Sequence, residues 1–208
     1  MVALALIPVG FALGVLLAPL AAPYIDEVTR RHKIGTGLVT AAFYGVLGWR
    51  VGTEPVLIAL LYLAAVGTLL CMIDVEVKRL PDRFTLSSYG VAAALLAVAA
   101  PFTDDGLERF GYALVGMVAL FLLYAVQAFL MPSGIGLGDV KLSGVLGLYL
   151  GWFGQSTWVL GLLLTYFLGG LVALGIMIVR RTRKGEFPFG PYMIAGTLVA
   201  VLLAPAHG

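Results

Sequence analysis

The chain has 208 residues, 61% of them hydrophobic and only 12% charged, with a formal net charge of +2 and a mean hydropathy of +1.04. A soluble domain is about 45–50% apolar and about 25% charged, so this composition excludes a water-soluble fold around one core and makes lipid the solvent for most of the surface. The net charge says little about nucleic acid, and no nucleic-acid partner is expected; the single cysteine, Cys71, excludes an internal disulfide and a paired-cysteine zinc site.

At about 20 residues per helical span, the length accommodates about eight spans with short loops. The expected fold is all-α: a polytopic helix bundle in which residues 1–208 form a single integral-membrane domain. The first apolar run, about 2–23, is interrupted only by glycine and proline, which membrane helices tolerate. No basic segment precedes it, so it reads as a retained span rather than a cleaved signal. Further spans follow over about 34–49, 55–73, 84–101, 110–131, 141–155, 157–179 and 188–205. The sixth is short, and "GWFGQST" at its end reads either as a tight turn or as part of a longer tilted helix. Cys71 falls inside the third span as a small buried hydrophobe. Trp49, Trp152 and Trp158 fall near span ends, where interfacial anchors sit.

Charge placement orients these spans. The alternate loops "DEVTRRHK", "DVEVKRLPDR", "SGIGLGDVK" and "RRTRKGEF" hold eleven of the thirteen Lys and Arg residues; the other set holds only Arg50 and Arg109. Positive loops stay in the cytoplasm, so both termini are expected outside. No internal repeat is evident, and the two halves offer no matching broken helices, which speaks against a transporter.

Two carboxylates stand out. Asp139 lies in "SGIGLGDVKL", in a cytoplasmic loop just before a span, and Asp74 directly follows the third span in "CMIDVEVKRLPDR". Both are expected at the inner membrane border, where packed helices can bring them together. Two carboxylates a few ångströms apart cannot both ionise cheaply, so one keeps its proton. The pair then offers a base to deprotonate water and an acid to protonate an amide carbonyl, which is aspartic protease chemistry without metal or cofactor. Gly134, Gly136 and Gly138 either form a tight turn or let a substrate strand approach Asp139 closely.

These residues resemble a family. "GLGD", residues 136–139, matches the GxGD signature of aspartyl proteases at the membrane border, and the wider context is similar to the type IV prepilin peptidases. Three of that family's motifs occur in order: Asp74 with Pro81, Asp82, Phe84 and Thr85; Gly136, Gly138, Asp139, Val140, Lys141 and Leu142; and Pro188, Phe189, Gly190 and Pro191. The resemblance covers about 54–205. It implies that Asp74 and Asp139 are the catalytic pair, that the substrate is a pilin-like precursor held in the bilayer, and that its basic leader is removed at the cytoplasmic face of a bacterial membrane. Many members carry a zinc-binding cytoplasmic insert with paired CxxC motifs after the first span and also N-methylate the new terminus. Here that loop is only "DEVTRRHK", so the resemblance implies a short form without that domain, similar to Flp/Tad-type or actinobacterial peptidases, and chelators are expected to leave activity intact.

The supporting residues each have more than one reading. Lys141 could pair with a carboxylate, meet a substrate carbonyl or reach lipid phosphate. Asp82 is expected to N-cap the fourth span and is the rival to Asp74. Glu76 reads as a surface loop residue, Glu186 as a candidate contact for a basic leader, and the "RRTRK" run as a grip on anionic lipid. His32 and His207 are isolated in sequence, and neither resembles a metal pair. The competing classes are a carboxylate-bearing carrier, which needs its acids near the midplane, and a protease of the signal-peptide-peptidase type, which is expected to show Tyr-Asp where this chain has Ile73-Asp74.

Overall fold

The computed structural model describes residues 2–131, 135–180 and 188–204. Gly134, Arg181, Arg183, Lys184, Glu186 and His207 lie outside them. Among the described residues the chain is helical throughout: α1 (Val2–Leu17), α2 (Arg30–Arg50), α3 (Leu57–Val77), α4 (Asp82–Ala99), α5 (Gly106–Leu130), α6 (Leu137–Trp152), α7 (Gln155–Arg180) and α8 (Gly190–Leu203), with short 3₁₀ turns after α1 and α4. Five of these segments are long and apolar enough to cross a membrane: Val2–Ala21, Leu57–Val77, Asp82–Phe102, Gly106–Leu130 and Gln155–Ile178. The other three differ for visible reasons. α2 opens on Arg30, Arg31, His32 and Lys33. α6 and α8 have 16 and 14 residues, about 24 and 21 Å at the helical rise, against a hydrocarbon core of about 30 Å.

The two short helices lie inside the bundle, together with α3. Every residue of α6 from Val140 to Trp152 is buried except Lys141. α8 buries Met193, Ile194, Leu198 and Val201, and α3 buries twelve residues ending with Ile73 and Asp74. α1, α5 and α7 turn apolar side chains such as Leu4, Leu122 and Leu171 outward. A helix that is apolar all round fits only such a position or lipid.

Between apolar helices in lipid there is little hydrophobic drive, so close van der Waals contact must hold them together. Gly116 on α5 faces Gly147 and Gly151 on α6: a methyl on Gly147 would run into the Gly116 carbonyl oxygen, and one on Gly151 into that of Tyr112. Trp158 of α7 donates its indole N–H to the same Gly116 carbonyl at 3.2 Å. α1 and α2 meet in the same way through Gly10 and Gly14, which abut Tyr44 and Gly37.

The ends of the bundle have distinct characters. At one end Arg50 donates from Nε to the Leu202 carbonyl at 3.0 Å and from Nη2 to the Ala204 carbonyl at 2.6 Å, tying the end of α2 to the last turn of α8. At the other end His32, at the start of α2, meets Glu76, near the end of α3, at 3.2 Å. The starts of α6 and α8 gather there too. The basic residues Arg30, Arg31 and Lys33 that open α2 and Lys78 and Arg79 that follow α3 therefore share this end with the starts of α6 and α8.

Several expectations need correction. Asp74 does not follow the third span but lies inside α3, and Asp139 is not in a loop but is the third residue of α6. Helical hydrogen bonding simply continues past the apolar run in one case and begins before it in the other. Trp152 is not an interfacial anchor: it is 1% exposed, within the core. Trp49, by contrast, is 78% exposed. Glu76 is helical rather than in a loop, and its carboxylate meets His32 across 44 positions of sequence. "GWFGQST" is a tight turn, made at Gly154 with φ +95°.

Candidate active site

The site forms where α3 ends and α4, α6 and α8 begin. α3 ends because Lys78 takes a left-handed conformation, φ 51°, with its N–H on the Asp74 carbonyl at 2.8 Å. Pro81 then prevents the helix from resuming before α4, since it disfavours helical geometry at Leu80 and lacks an N–H. This short connection pushes Leu80 inward. A Cβ on Gly138 would lie 3.0 Å from the Leu80 Cβ, and one on Gly190 would lie 3.3 Å from Leu80 Cδ2. Leu80 is thus a wedge seated on two glycines, one at the start of α6 and one at the start of α8. Sequence reasoning passed over it because nothing marks one leucine among so many.

Each aspartate is held by a backbone N–H. Gly190 donates to Asp74 Oδ2 at 3.0 Å, across 116 positions of sequence. Gly136 donates to Asp139 Oδ2 at 3.2 Å, in the capping arrangement that opens α6. The two carboxylates line one cavity of about 310 Å³, walled by Leu80, Gly136 and Gly138 and bordered by Asp82 and Lys141. Asp74 is 4% exposed, and Asp139 is half-buried. Burial pushes the Asp139 carboxyl up to about 6, the Asp74 charge pushes in the same direction, and the Gly136 N–H opposes both. Carboxylates sharing such a cavity can divide one proton, one serving as base toward water and the other as acid toward a carbonyl oxygen.

The remaining expected residues separate by position. Lys141 Nζ lies 2.7 and 2.8 Å from the two oxygens of Asp82, so of its possible partners it takes the carboxylate. Asp82 does not N-cap α4: Pro81 occupies that position, and Asp82 is the first helical residue, turned toward Lys141. Pro81 is buried at the cap. Pro188 stands two residues ahead of Gly190, half-buried and outside the lining of the cavity. Among the described residues no three His, Cys, Asp or Glu side chains gather as metal ligands would.

An aromatic wall behind Asp139 went unnoticed in the sequence. Tyr124 of α5, 1% exposed, is within electrostatic reach of Asp139. Its ring stacks on Tyr166 of α7 with centroids 6.0 Å apart, and Phe189 lies 6.5 and 5.9 Å from the two. The Tyr166 hydroxyl donates to the Gln127 side chain. Tyrosines spread over two helices carry no spacing signal that could have announced this.

Comparison with known proteins bears on the same region. The model of the type IV leader peptidase family matches residues 61–174, a range that contains Asp74, Leu80, Asp82, Asp139 and Lys141. The prepilin leader peptidase/N-methyltransferase of Aeromonas hydrophila is 29% identical over 189 residues, 89% of this chain and 60% of that relative. The proteins of the same description from Pseudomonas putida and Neisseria gonorrhoeae are each 32% identical, over 76% and 78% of this chain and 54% of each relative. The chain thus spans little more than half the length of the curated relatives it matches. No solved structure matches. With a family model matched over more than half its length and relatives 32% identical across three-quarters of it, the chain belongs to the type IV leader peptidase family.

Proposed function

We propose that the chain is an aspartic endopeptidase of the bacterial cytoplasmic membrane, which removes the basic leader of a pilin-like precursor, of the Flp/Tad kind, at the cytoplasmic face. The observation that carries this reading is the shared cavity: Asp74 and Asp139 line it together, each with one carboxylate oxygen on a backbone N–H. A fixed hydrogen bond on Oδ2 leaves Oδ1 of each residue for water or substrate. One aspartate, ionised, takes a proton from water. The water oxygen attacks the scissile carbonyl carbon, while the other aspartate gives its proton to the carbonyl oxygen. Collapse of the tetrahedral species breaks the C–N bond: the first aspartate gives its proton to the leaving amine, and the second takes back the proton from the former carbonyl oxygen, which restores the starting pair. Asp82 takes no direct part, since its oxygens are engaged by Lys141.

The same reading makes residues 1–208 one membrane domain with eight spans, both termini outside, and the basic connections in the cytoplasm. The described basic residues at the aspartate end, at the start of α2 and between α3 and α4, support it, because positive loops are retained inside. The position of Asp74 in the last turn of α3 argues against a carrier, which needs its carboxylates near the midplane. N-methylation is not part of the proposal, since the loop before α2 holds no paired cysteines.

The test is co-expression with a pilin-like precursor carrying a basic leader, followed by mass measurement of its new N-terminus. Wild-type chain should shorten the precursor by its leader. Asp74→Ala and Asp139→Ala should each leave it intact while still inserting into the membrane. Cleavage by Asp74→Asn at the wild-type rate would remove Asp74 from the mechanism and return Asp82 to candidacy.

A further inference from the structure

A second concavity lies beside the active-site cavity and shares a residue with it. α4 and α5 both pack on α6 but make little contact with each other. The gap between them is a groove of about 470 Å³, with Leu86 and Tyr89 on one side, Val118, Phe121 and Leu122 on the other, and Lys141 at one end. Lys141 also borders the cavity that holds Asp74 and Asp139.

The groove is apolar by construction. The Tyr89 hydroxyl, its obvious polar group, already donates to the Lys141 carbonyl at 2.6 Å. Gly144 makes this possible: a methyl there would occupy the Tyr89 hydroxyl position. Lys141 turns its ammonium to Asp82. The groove therefore offers an occupant mainly shape and apolar contact, its two polar side chains being already engaged with Asp82 and the Lys141 carbonyl. Its depth is also set. Leu86 is four residues beyond the start of α4, about 6 Å along the axis, so the groove begins about one helical turn in from Asp82 and meets the aspartate cavity at Lys141.

We propose that this groove seats the apolar helix of the membrane-embedded precursor, holding it so that the chain just ahead of that helix enters the aspartate cavity past Lys141. The inference rests on the precursor-peptidase reading above. The argument for this occupant is continuity. A substrate that stays in the bilayer must bring an apolar helix up to a polar cavity from the side, and this groove is apolar, open to lipid and contiguous with that cavity through Lys141. An apolar helix laid into an apolar groove is held by packing of one face, which is what Leu86, Val118, Phe121 and Leu122 provide.

The experiment uses a precursor that the wild-type enzyme has first been shown to cleave, so failure of the parent reading is recognised before the groove is tested. A photoreactive phenylalanine analogue replaces Leu122 in the groove or Leu174 on the outer face of α7, both in an Asp139→Asn background that retains substrate. The Leu122 position should crosslink to the precursor's apolar helix at least tenfold more than Leu174. In an otherwise wild-type enzyme, Leu122→Trp fills the groove and should raise KM at least fivefold with little change in kcat, while the lipid-facing control Leu174→Trp leaves both unchanged. Equal crosslinking from both positions, or crosslinking from neither, overturns the proposal. So does a Leu122→Trp enzyme with wild-type KM, or one whose kcat alone falls.

Discussion

The backbone N–H of Gly190 donates to the buried carboxylate of Asp74 at 3.0 Å, joining the start of α8 to the end of α3. The contact is intolerant of a side chain at position 190, where a Cβ would lie 2.9 Å from the same oxygen it helps to hold. Gly190→Ala should therefore move Asp74 rather than unfold the bundle. We expect at least a tenfold fall in kcat for leader removal, on the principle that about 1 Å of misplacement costs about a hundredfold, with little change in thermal stability in detergent. Wild-type kcat in the alanine variant would show that Asp74 needs no such clamp.

Lys141 and Asp82 form the second tie across the site, at 2.7 and 2.8 Å. Their side chains are 34% and 57% exposed, and pairs so placed contribute about 0.2–1 kcal/mol to stability. Their importance should lie in position, because the pair fixes the start of α4 against the start of α6. Lys141→Met and Asp82→Asn should each lower kcat severalfold, and the double variant should be no worse than either single one, the non-additivity of residues acting through one contact. Strictly multiplicative losses would separate the two residues and give Lys141 a direct role toward substrate.

Much of the candidate site was legible because the two acids that share its cavity are rare residues in a greasy chain. Asp74 and Asp139 are conspicuous among apolar neighbours, and the glycine at 138 sits beside its acid in sequence as in space. What was not legible is whatever depends on helices meeting. Leu80 acts as a wedge only because Gly138 and Gly190 arrive beneath it, and Tyr124 approaches Asp139 only because α5 lies along α6 on Gly116, Gly147 and Gly151. Asp82 looked like a helix cap from its place after a proline. The partner that turned it away, Lys141, is 59 positions distant. Span ends failed for a related reason. Hydropathy marks where side chains become polar, whereas hydrogen bonding carries α3 on to Val77 and starts α6 at Leu137.

The α5–α6 contact should be the most sensitive part of the scaffold. A methyl at Gly151 collides with the Tyr112 carbonyl, and backbone cannot swing aside as a side chain can. Overpacking of this kind costs about 1–3 kcal/mol. Gly151→Ala should lower the thermal midpoint in detergent by several degrees, while Gly175→Ala, with open space at its Cβ on α7, leaves it unchanged. Differential scanning fluorimetry of the two variants decides the matter. Equal midpoints would mean that the two helices slide apart at no cost.

The pH dependence of cleavage follows from Asp139. Its carboxyl is pushed up to about 6, first by burial and then by the Asp74 charge. The native chain therefore keeps a proton that the unfolded chain loses near the ordinary carboxylate value. This contribution to stability is present in full below that value and is lost as pH rises through about 6. For catalysis the relevant form has one proton on the pair, so kcat/KM, which reports the free enzyme, should fall on its alkaline side with an apparent value near 6 that belongs to the pair. Bound substrate covers the cavity and excludes water, which disfavours the doubly ionised pair further. The alkaline limb of kcat should therefore lie at higher pH than that of kcat/KM. In Asp74→Asn the Asp139 carboxyl, followed by carbon NMR, should titrate lower than in the wild type but still above an ordinary aspartate, because burial is the larger cause. An Asp139 that titrates at the ordinary value in both proteins would leave the pair without the proton this mechanism requires.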